Sequence, residues 1–327
     1  MGRTIVWWVL VAGAIGLGTF FLFPSNFYYT LSIHILIMAI YAMSLNLLVG
    51  YSGMTSFGHA AFFGIGAYTT SILLQKTQTP FLVALVLSVV IAGIAAIVIG
   101  FFCVRLGTMF FAMLTLALGQ MVHVIIIRWE SLTGGEQGLI GGLPRRAIEI
   151  MGMKLDLTIP SAFYAFTFFL AFLSILSCKI VVESPFGSVL RAIRDNALRA
   201  NFVGTNIRAH RLLVFVIAGA QAGLAGSLMS VFVSGAYPDF AHFLKSTEPI
   251  LMILVGGIYS FFGPLLGAII FVLLNLVLSR WTQYWMLIFG AILALICVFV
   301  RGGILDYAER LFATEKATGL RDRLRED

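Results

Sequence analysis

Charge is what this sequence has least of. Asp, Glu, Lys and Arg together make up 11% of its 327 residues, against about 25% in an average soluble domain. So little charge cannot coat a water-facing surface, which excludes an ordinary soluble fold. Cysteine is scarce as well: Cys103, Cys178 and Cys297 stand far apart, in or at the ends of apolar runs. They have no metal-ligand spacing and read as small apolar residues rather than a zinc module or a disulfide framework. The five histidines, at 34, 59, 123, 210 and 242, show no ligand spacing either. No G-x-x-x-x-G-K-[ST], H-E-x-x-H or G-x-S-x-G occurs, so a P-loop, a zinc protease helix and a nucleophile elbow are all missing. No catalytic residue, cofactor site or metal site is assigned.

What is there is hydrocarbon. Apolar residues reach 60%, gathered in runs long enough to cross about 30 Å of bilayer core. Ten such runs stand out, at roughly 5–23, 29–49, 58–75, 81–103, 108–127, 160–178, 212–234, 247–261, 264–279 and 284–300. The expectation is an all-α polytopic membrane protein with about ten transmembrane helices; a barrel would show short alternating segments instead. The eighth and ninth runs are short, so one is expected to be re-entrant or strongly tilted. The first run lacks a small-residue cleavage site and is expected to be retained as a span. Alternation from a cytoplasmic N-terminus places fourteen Lys and Arg on the cytoplasmic side and seven on the other, as the positive-inside rule requires. Both termini are then cytoplasmic. The transmembrane unit covers 1–305, with an external loop at 128–159, a cytoplasmic segment at 183–211 and a cytoplasmic tail at 306–327. The net charge of +7 clusters beside apolar spans, which points to anionic membrane lipid and not to nucleic acid.

The segment 183–211 is the one long polar interval. From 179 to 211 six basic residues face Glu183 and Asp195. Ser184 suits an N-cap and Pro185 the first helical position. Phe186, Val189, Leu190, Ile193 and Ala197 recur at helical spacing opposite Arg191, Arg194 and Arg199, and Gly204 is a natural stop. A helix flat on the membrane and a plug into a partner protein both fit this pattern.

Within the spans no Asp, Glu, Lys or Arg falls at mid-run, and Glu248 is at an edge. Proton pumps and voltage sensors need such groups, so the energy for any transport is expected from outside the chain. Uncharged polar residues remain as candidates for a path: Ser44, Asn46, Thr115, Gln120, Gln221 and Asn275. Small residues at four-residue spacing, Gly219 with Gly223 and Ala222 with Gly226, offer a face for close helix approach, as does Gly263 with Gly267. In the external loop Gly134, Gly135, Gly138, Gly141, Gly142 and Pro144 imply tight turns. A short internal echo links LLVGYSGMTSFG (47–58) with ILVGGIYSFFG (253–263); duplicated halves are common in transporters.

Several segments taken together resemble the LivM-type permeases of branched-chain amino acid ABC importers. They are LNLLVGYSGMTSFGHAAFFGIGAYT (45–69), RLGTMFFAMLTLALGQ (105–120), LTGGEQGLIGGLP (132–144), SPFGSVLRAIRDN (184–196) with VGTN (203–206), LLVFVIAGAQAGLAGSL (212–228) and EPILMILVGGIYSFFGPLLGA (248–268). The resemblance implies a type II ABC importer-like permease in the bacterial inner membrane that does no chemistry itself. Its implied partners are a LivH-type sister permease, two cytoplasmic ABC ATPases and a periplasmic or surface solute-binding protein. It also implies that Ser184, Pro185, Phe186, Gly187, Leu190, Arg191, Ile193, Arg194 and Asn196 form a helix docking on the ATPase. Phe186, Val189, Leu190 and Ile193 would then fill the groove, with Arg191 and Arg194 on its acidic rim. Gln120 stands where relatives often have Glu, and relatives act on urea, short amides and aromatic acids as well as Leu, Ile and Val. The alternative reading is a self-sufficient ion-coupled transporter or channel.

Overall fold

The computed structural model describes residues 25–77, 79–140, 148–150, 153–155, 159–281, 283–299 and 303–304. The expected first span at 5–23, the tail at 306–327 and the turn at Gly141, Gly142 and Pro144 lie outside these residues. Helix α1 (Asn26–Asn46) continues as a π-helical turn over Leu47–Ser52. It is followed by α2 (His59–Lys76), α3 (Phe81–Cys103), α4 (Thr108–Arg128) and the short α5 (Glu130–Thr133). Then come α6 (Pro160–Glu183), α7 (Pro185–Asp195), α8 (Ala197–Phe202) and α9 (Ile207–Phe232). The described chain ends with α10 (Phe243–Gly256), α11 (Gly263–Trp281) and α12 (Trp285–Phe299).

Six of these are long and apolar enough to cross a membrane: α1 with its π turn, α3, α4, α6, α9 and α11. Helix α10 is not. Its 14 residues reach about 21 Å at 1.5 Å per residue, short of a full crossing. It also starts earlier than its apolar run suggests, at Phe243 rather than 247.

The sequence pattern gives no hint of strand, yet four short strands occur among the described residues. Strand β1 (Leu139–Ile140) pairs antiparallel with β4 (Gly235–Ala236), Leu139 opposite Ala236. Strands β2 (Ile148–Ile150) and β3 (Met153–Leu155) pair with Ile148 opposite Leu155. The run before β1 turns at Gly134, Gly135 and Gly138, with φ of 78°, 63° and 73°. From β4 the chain folds back through a 3-10 turn at Pro238–Ala241 into α10.

Glycine sets the spacing of the core. Helix α9 packs against α2, α3 and α1, and its small face lets backbones touch. A Cβ on Gly226 would land on the carbonyl of Phe63, and one on Gly66 would land on the carbonyl of Gly223. On the α3 side Gly219 would meet the Ala96 methyl at 2.6 Å. The pair α10–α11 repeats the device, Gly267 lying on the carbonyl of Met252. Between these seams aromatic rings fill space: Phe215 meets Phe62 at 5.3 Å and Phe111 at 5.6 Å, both edge-on. The Thr70 and Ser227 hydroxyls, 2.6 Å apart, add a polar tie between α2 and α9. Such a tie is worth about 0.6 kcal/mol in a bilayer, so close packing dominates. Around the outside α3 exposes Val86, Ile94 and Phe102, a surface suited to lipid.

Candidate functional site

Helix α7 begins as its sequence dictates. Ser184 Oγ accepts from the Gly187 N–H at 3.3 Å, and Pro185 occupies the first turn. The helix does not run on to Gly204. Asn196 breaks it with φ −158° and ψ 98°, and its Oδ1 accepts from the Arg199 N–H at 3.0 Å to cap α8. Gly204, at φ 85°, follows α8.

The apolar face of α7 turns inward. Leu190 and Ile193 are only 0% and 2% exposed, covered by this chain itself. They are therefore not free to enter a partner's groove, as the resemblance suggested. Phe186 is half-buried and stacks on His210 at 5.5 Å. Gly187, also buried, packs on the carbonyl of Val182 and fixes the corner between α6 and α7. The exposed stripe consists of Pro185, Ser188, Ala192 and Asp195, one helix face that periodicity of apolar residues alone could not single out.

The two arginines hold the junction together. Arg191 donates from Nη1 to the Val182 carbonyl at 3.3 Å and from Nη2 to Ser188 Oγ at 3.2 Å. Arg194 donates from Nη1 to the Gly50 carbonyl at 2.5 Å and from Nε to Asp195 Oδ1 at 3.1 Å. Its guanidinium also lies 5.3 Å from the Tyr259 ring centre. These contacts reach both helix breaks of the bundle. After α1 the π turn stops at Gly53, φ 70°; after α10 the chain turns at Gly257, φ 132°. A Cβ on Gly50 would come within 2.6 Å of the Ile258 carbonyl, so the breaks touch. They are the two echoing segments, 47–58 and 253–263. Arg194→Met keeps the chain length but removes the hydrogen bond to Gly50 and the ring contact. It is expected to cost about 1.5–3 kcal/mol, the range for a hydrogen bond to a charged group, measured by thermal unfolding of the detergent-solubilised chain.

A second polar cluster lies at the start of α10. Tyr41 donates its hydroxyl to the Lys245 carbonyl at 3.3 Å. Ser246 Oγ accepts from the Ala60 N–H at 2.8 Å, supplying the start of α2 with a partner. Lys245 Nζ and Glu248 Oε2 pair at 2.6 Å, and Nζ lies 5.8 Å from the Phe63 ring centre. Tyr41 is about 22 Å along α1 at 1.5 Å per residue, so the pair sits within the bundle. The six helices long enough to cross a membrane carry no Asp, Glu, Lys or Arg at mid-length, but the short α10 brings this pair in from the edge of its apolar run. The signal was available in Lys245-x-x-Glu248, an i,i+3 pair able to share one helix face. A cavity of about 210 Å³ opens beside the pair, lined also by His34, Met38, Phe271 and Asn275.

The candidate path residues do not share one cavity. Asn275 lines that cavity. Ser44 Oγ is 2.8 Å from His59 Nε2, and Asn46 is buried with Oδ1 unpartnered. Thr115 donates to the Ala112 carbonyl at 2.9 Å and presents its own carbonyl to Gly58. Gln221 joins α9 to α6, donating to Ser177 Oγ at 2.8 Å and accepting from Cys178 Sγ at 2.9 Å. Gln120 is half-buried. Among the described residues no cluster of His, Cys, Asp or Glu could hold a metal ion.

Known proteins resemble this sequence. The family described as the permease component of branched-chain amino acid transport systems matches residues 27–297. The high-affinity branched-chain amino acid transport system permease protein LivM of Escherichia coli (strain K12) is 26% identical over 292 residues, 83% of this chain and 68% of its own. The probable branched-chain amino acid transport permease protein LivM of Methanocaldococcus jannaschii is 24% identical, covering 81% of this chain and 89% of its own. The LivH permease protein of Salmonella typhimurium is also 24% identical, covering 83% and 92%. No solved structure matches.

Proposed function

Because this chain belongs to the family of permease components of branched-chain amino acid transport systems, we propose that it is the membrane permease subunit of an ATP-driven importer for branched-chain or similar small amino acids. The observation that carries this reading is the match across residues 27–297. The absence of charge at mid-length in the six spans also supports an external energy source, the Lys245–Glu248 pair lying on the short α10. The chain works with a LivH-type sister permease, two cytoplasmic ATPases and a solute-binding protein, in the bacterial inner membrane. Ten spans with both termini on the α7 side, and that side cytoplasmic, belong to the same proposal; the two-to-one excess of Lys and Arg supports it. Helix α7 receives the ATPase movement. Its docking face is the exposed stripe with Pro185, Ser188, Ala192 and Asp195, and Arg194 carries the movement to the helix breaks at Gly53 and Gly257. Solute passes by the cavity that holds Asn275 and the Lys245–Glu248 pair.

Co-reconstitution in proteoliposomes tests the reading. Labelled leucine should accumulate with ATP, the ATPases, the sister permease and the binding protein, and not with an ion gradient alone. Accumulation by the purified chain under an ion gradient would establish the self-sufficient transporter instead. Competition by urea and short amides defines the substrate range. Ala192→Trp and Ala192→Arg alter only the exposed stripe, and each is expected to weaken ATPase capture roughly thirtyfold, as loss of an interface hot spot does. Membrane insertion should be unchanged; equal capture by these variants would remove α7 from the docking role.

A further inference from the structure

A cavity of about 590 Å³ lies where the end of α3, α8 and the start of α9 come together. Its polar lining is Arg105, Arg208, Arg211, Asn201, Thr205 and Asn206, and no acidic residue lines it among the described residues. Arg211 is half-buried, and its Nε is enclosed without a hydrogen-bond partner. A buried N–H left unpaired is costly, and three guanidinium groups around one space call for an anion. The first turn of α9 adds the positive end of a 26-residue helix. Arginine suits a phosphate through its planar fork of donors.

The surroundings distinguish the kind of phosphate. Beside the cavity Leu198, Phe202 and Val203 are 73%, 88% and 86% exposed. Across it α3 exposes Phe101 and Phe102, and the Arg105 guanidinium lies 4.2 Å from the Phe101 ring centre. Cationic depth flanked by exposed hydrocarbon matches an amphiphile with an anionic head. The space also exceeds what one inorganic phosphate fills. Basic pockets between helices at a membrane face take such headgroups. We infer that this cavity binds the phosphate of an anionic phospholipid in the leaflet on the α7 side, with Leu198, Phe202 and the α3 phenylalanines against its acyl chains. Helix α8 thereby becomes the membrane-bound half of the basic segment, while α7 keeps the protein-docking half.

Native mass spectrometry of the full-length chain, delipidated and titrated with phosphatidylglycerol or with phosphatidylcholine of the same acyl chains, tests this. One phosphatidylglycerol should bind in preference. The double variant Arg105→Gln/Arg211→Gln should bind it about thirtyfold more weakly; Arg105→Lys/Arg211→Lys should recover part of the loss. Arg128→Gln, at the other end of α4, should bind as the parent does. Equal binding of both lipids to the parent chain overturns the inference and does not depend on any variant folding. Displacement of the lipid by millimolar inorganic phosphate assigns the cavity to a free anion and also overturns it.

Discussion

Gly226→Leu is expected to abolish accumulation of folded protein, whereas Gly93→Ala leaves it unchanged or slightly raised. Both glycines lie inside long helices, α9 and α3, so helix propensity treats them alike: either change to a better helix former gains up to about 1 kcal/mol. Their surroundings differ. At Gly226 the first added carbon would overlap the Phe63 carbonyl, a backbone group that cannot rotate away. Helix α2 would have to retreat, and its retreat would open the neighbouring contact of Gly66 on Gly223 and the tie from Thr70 to Ser227. Overpacking costs about 1–3 kcal/mol where side chains can adjust; here they cannot, and a leucine adds three further carbons. At Gly93 an added methyl would find the Ala220 methyl at 3.7 Å, an ordinary contact. Fluorescence-detected gel filtration of tagged variants measures the outcome. A monodisperse Gly226→Leu peak at parental height would show that α2 and α9 are not held as described.

Lys245→Met alone and Glu248→Gln alone should each destabilise the chain by about 2–3 kcal/mol, and Lys245→Met with Glu248→Leu should return to within about 1 kcal/mol of the parent. The pair is a 2.6 Å contact near the Phe63 ring and beside the Met38 cavity. Removing one partner strands the other charge among apolar groups. Removing both relieves the stranding, and apolar replacements can fill the space. Melting temperatures of the detergent-solubilised chain report all three variants. Single variants that melt like the parent would place the pair in water. The same three chains, carried into leucine uptake, separate a structural pair from one that meets solute. If the double variant folds but fails to transport, the pair faces the path.

Most of the spans were legible because an apolar run and a buried helix are nearly the same object in a bilayer. The run 81–103 is α3 residue for residue. The small faces of α9 and α11 were legible too, since glycine at four-residue spacing has few other uses inside a span. Legibility failed where a helix begins inside the protein. Helix α10 starts with Phe243, Leu244 and Lys245, and hydropathy discounts a turn that carries charge. The partners that make this start possible, Tyr41 and Phe63, are distant in sequence. The basic segment shows a related limit. Ser184 and Pro185 act locally, as the sequence indicates, and Gly204 stops α8 instead of the helix that Ser184 begins, whereas the direction in which Leu190 faces depends on what its own chain offers nearby. Asn196 fitted a contact residue equally well until its side chain was seen capping α8. The short pairing of β1 with β4 left no periodic trace at two residues a strand.

The hydrogen bond from the Ala60 N–H to Ser246 Oγ also orders events during synthesis. Its acceptor lies 186 residues downstream of its donor. At 5–20 residues per second, roughly 10–40 s separate the making of the two groups. For that interval the first turn of α2 is in the nascent chain without the hydroxyl that later satisfies it. The N-terminal helices therefore reach their final arrangement only after α10 has left the ribosome, and a truncated product ending before Ser246 should be cleared by membrane proteases faster than one that includes it.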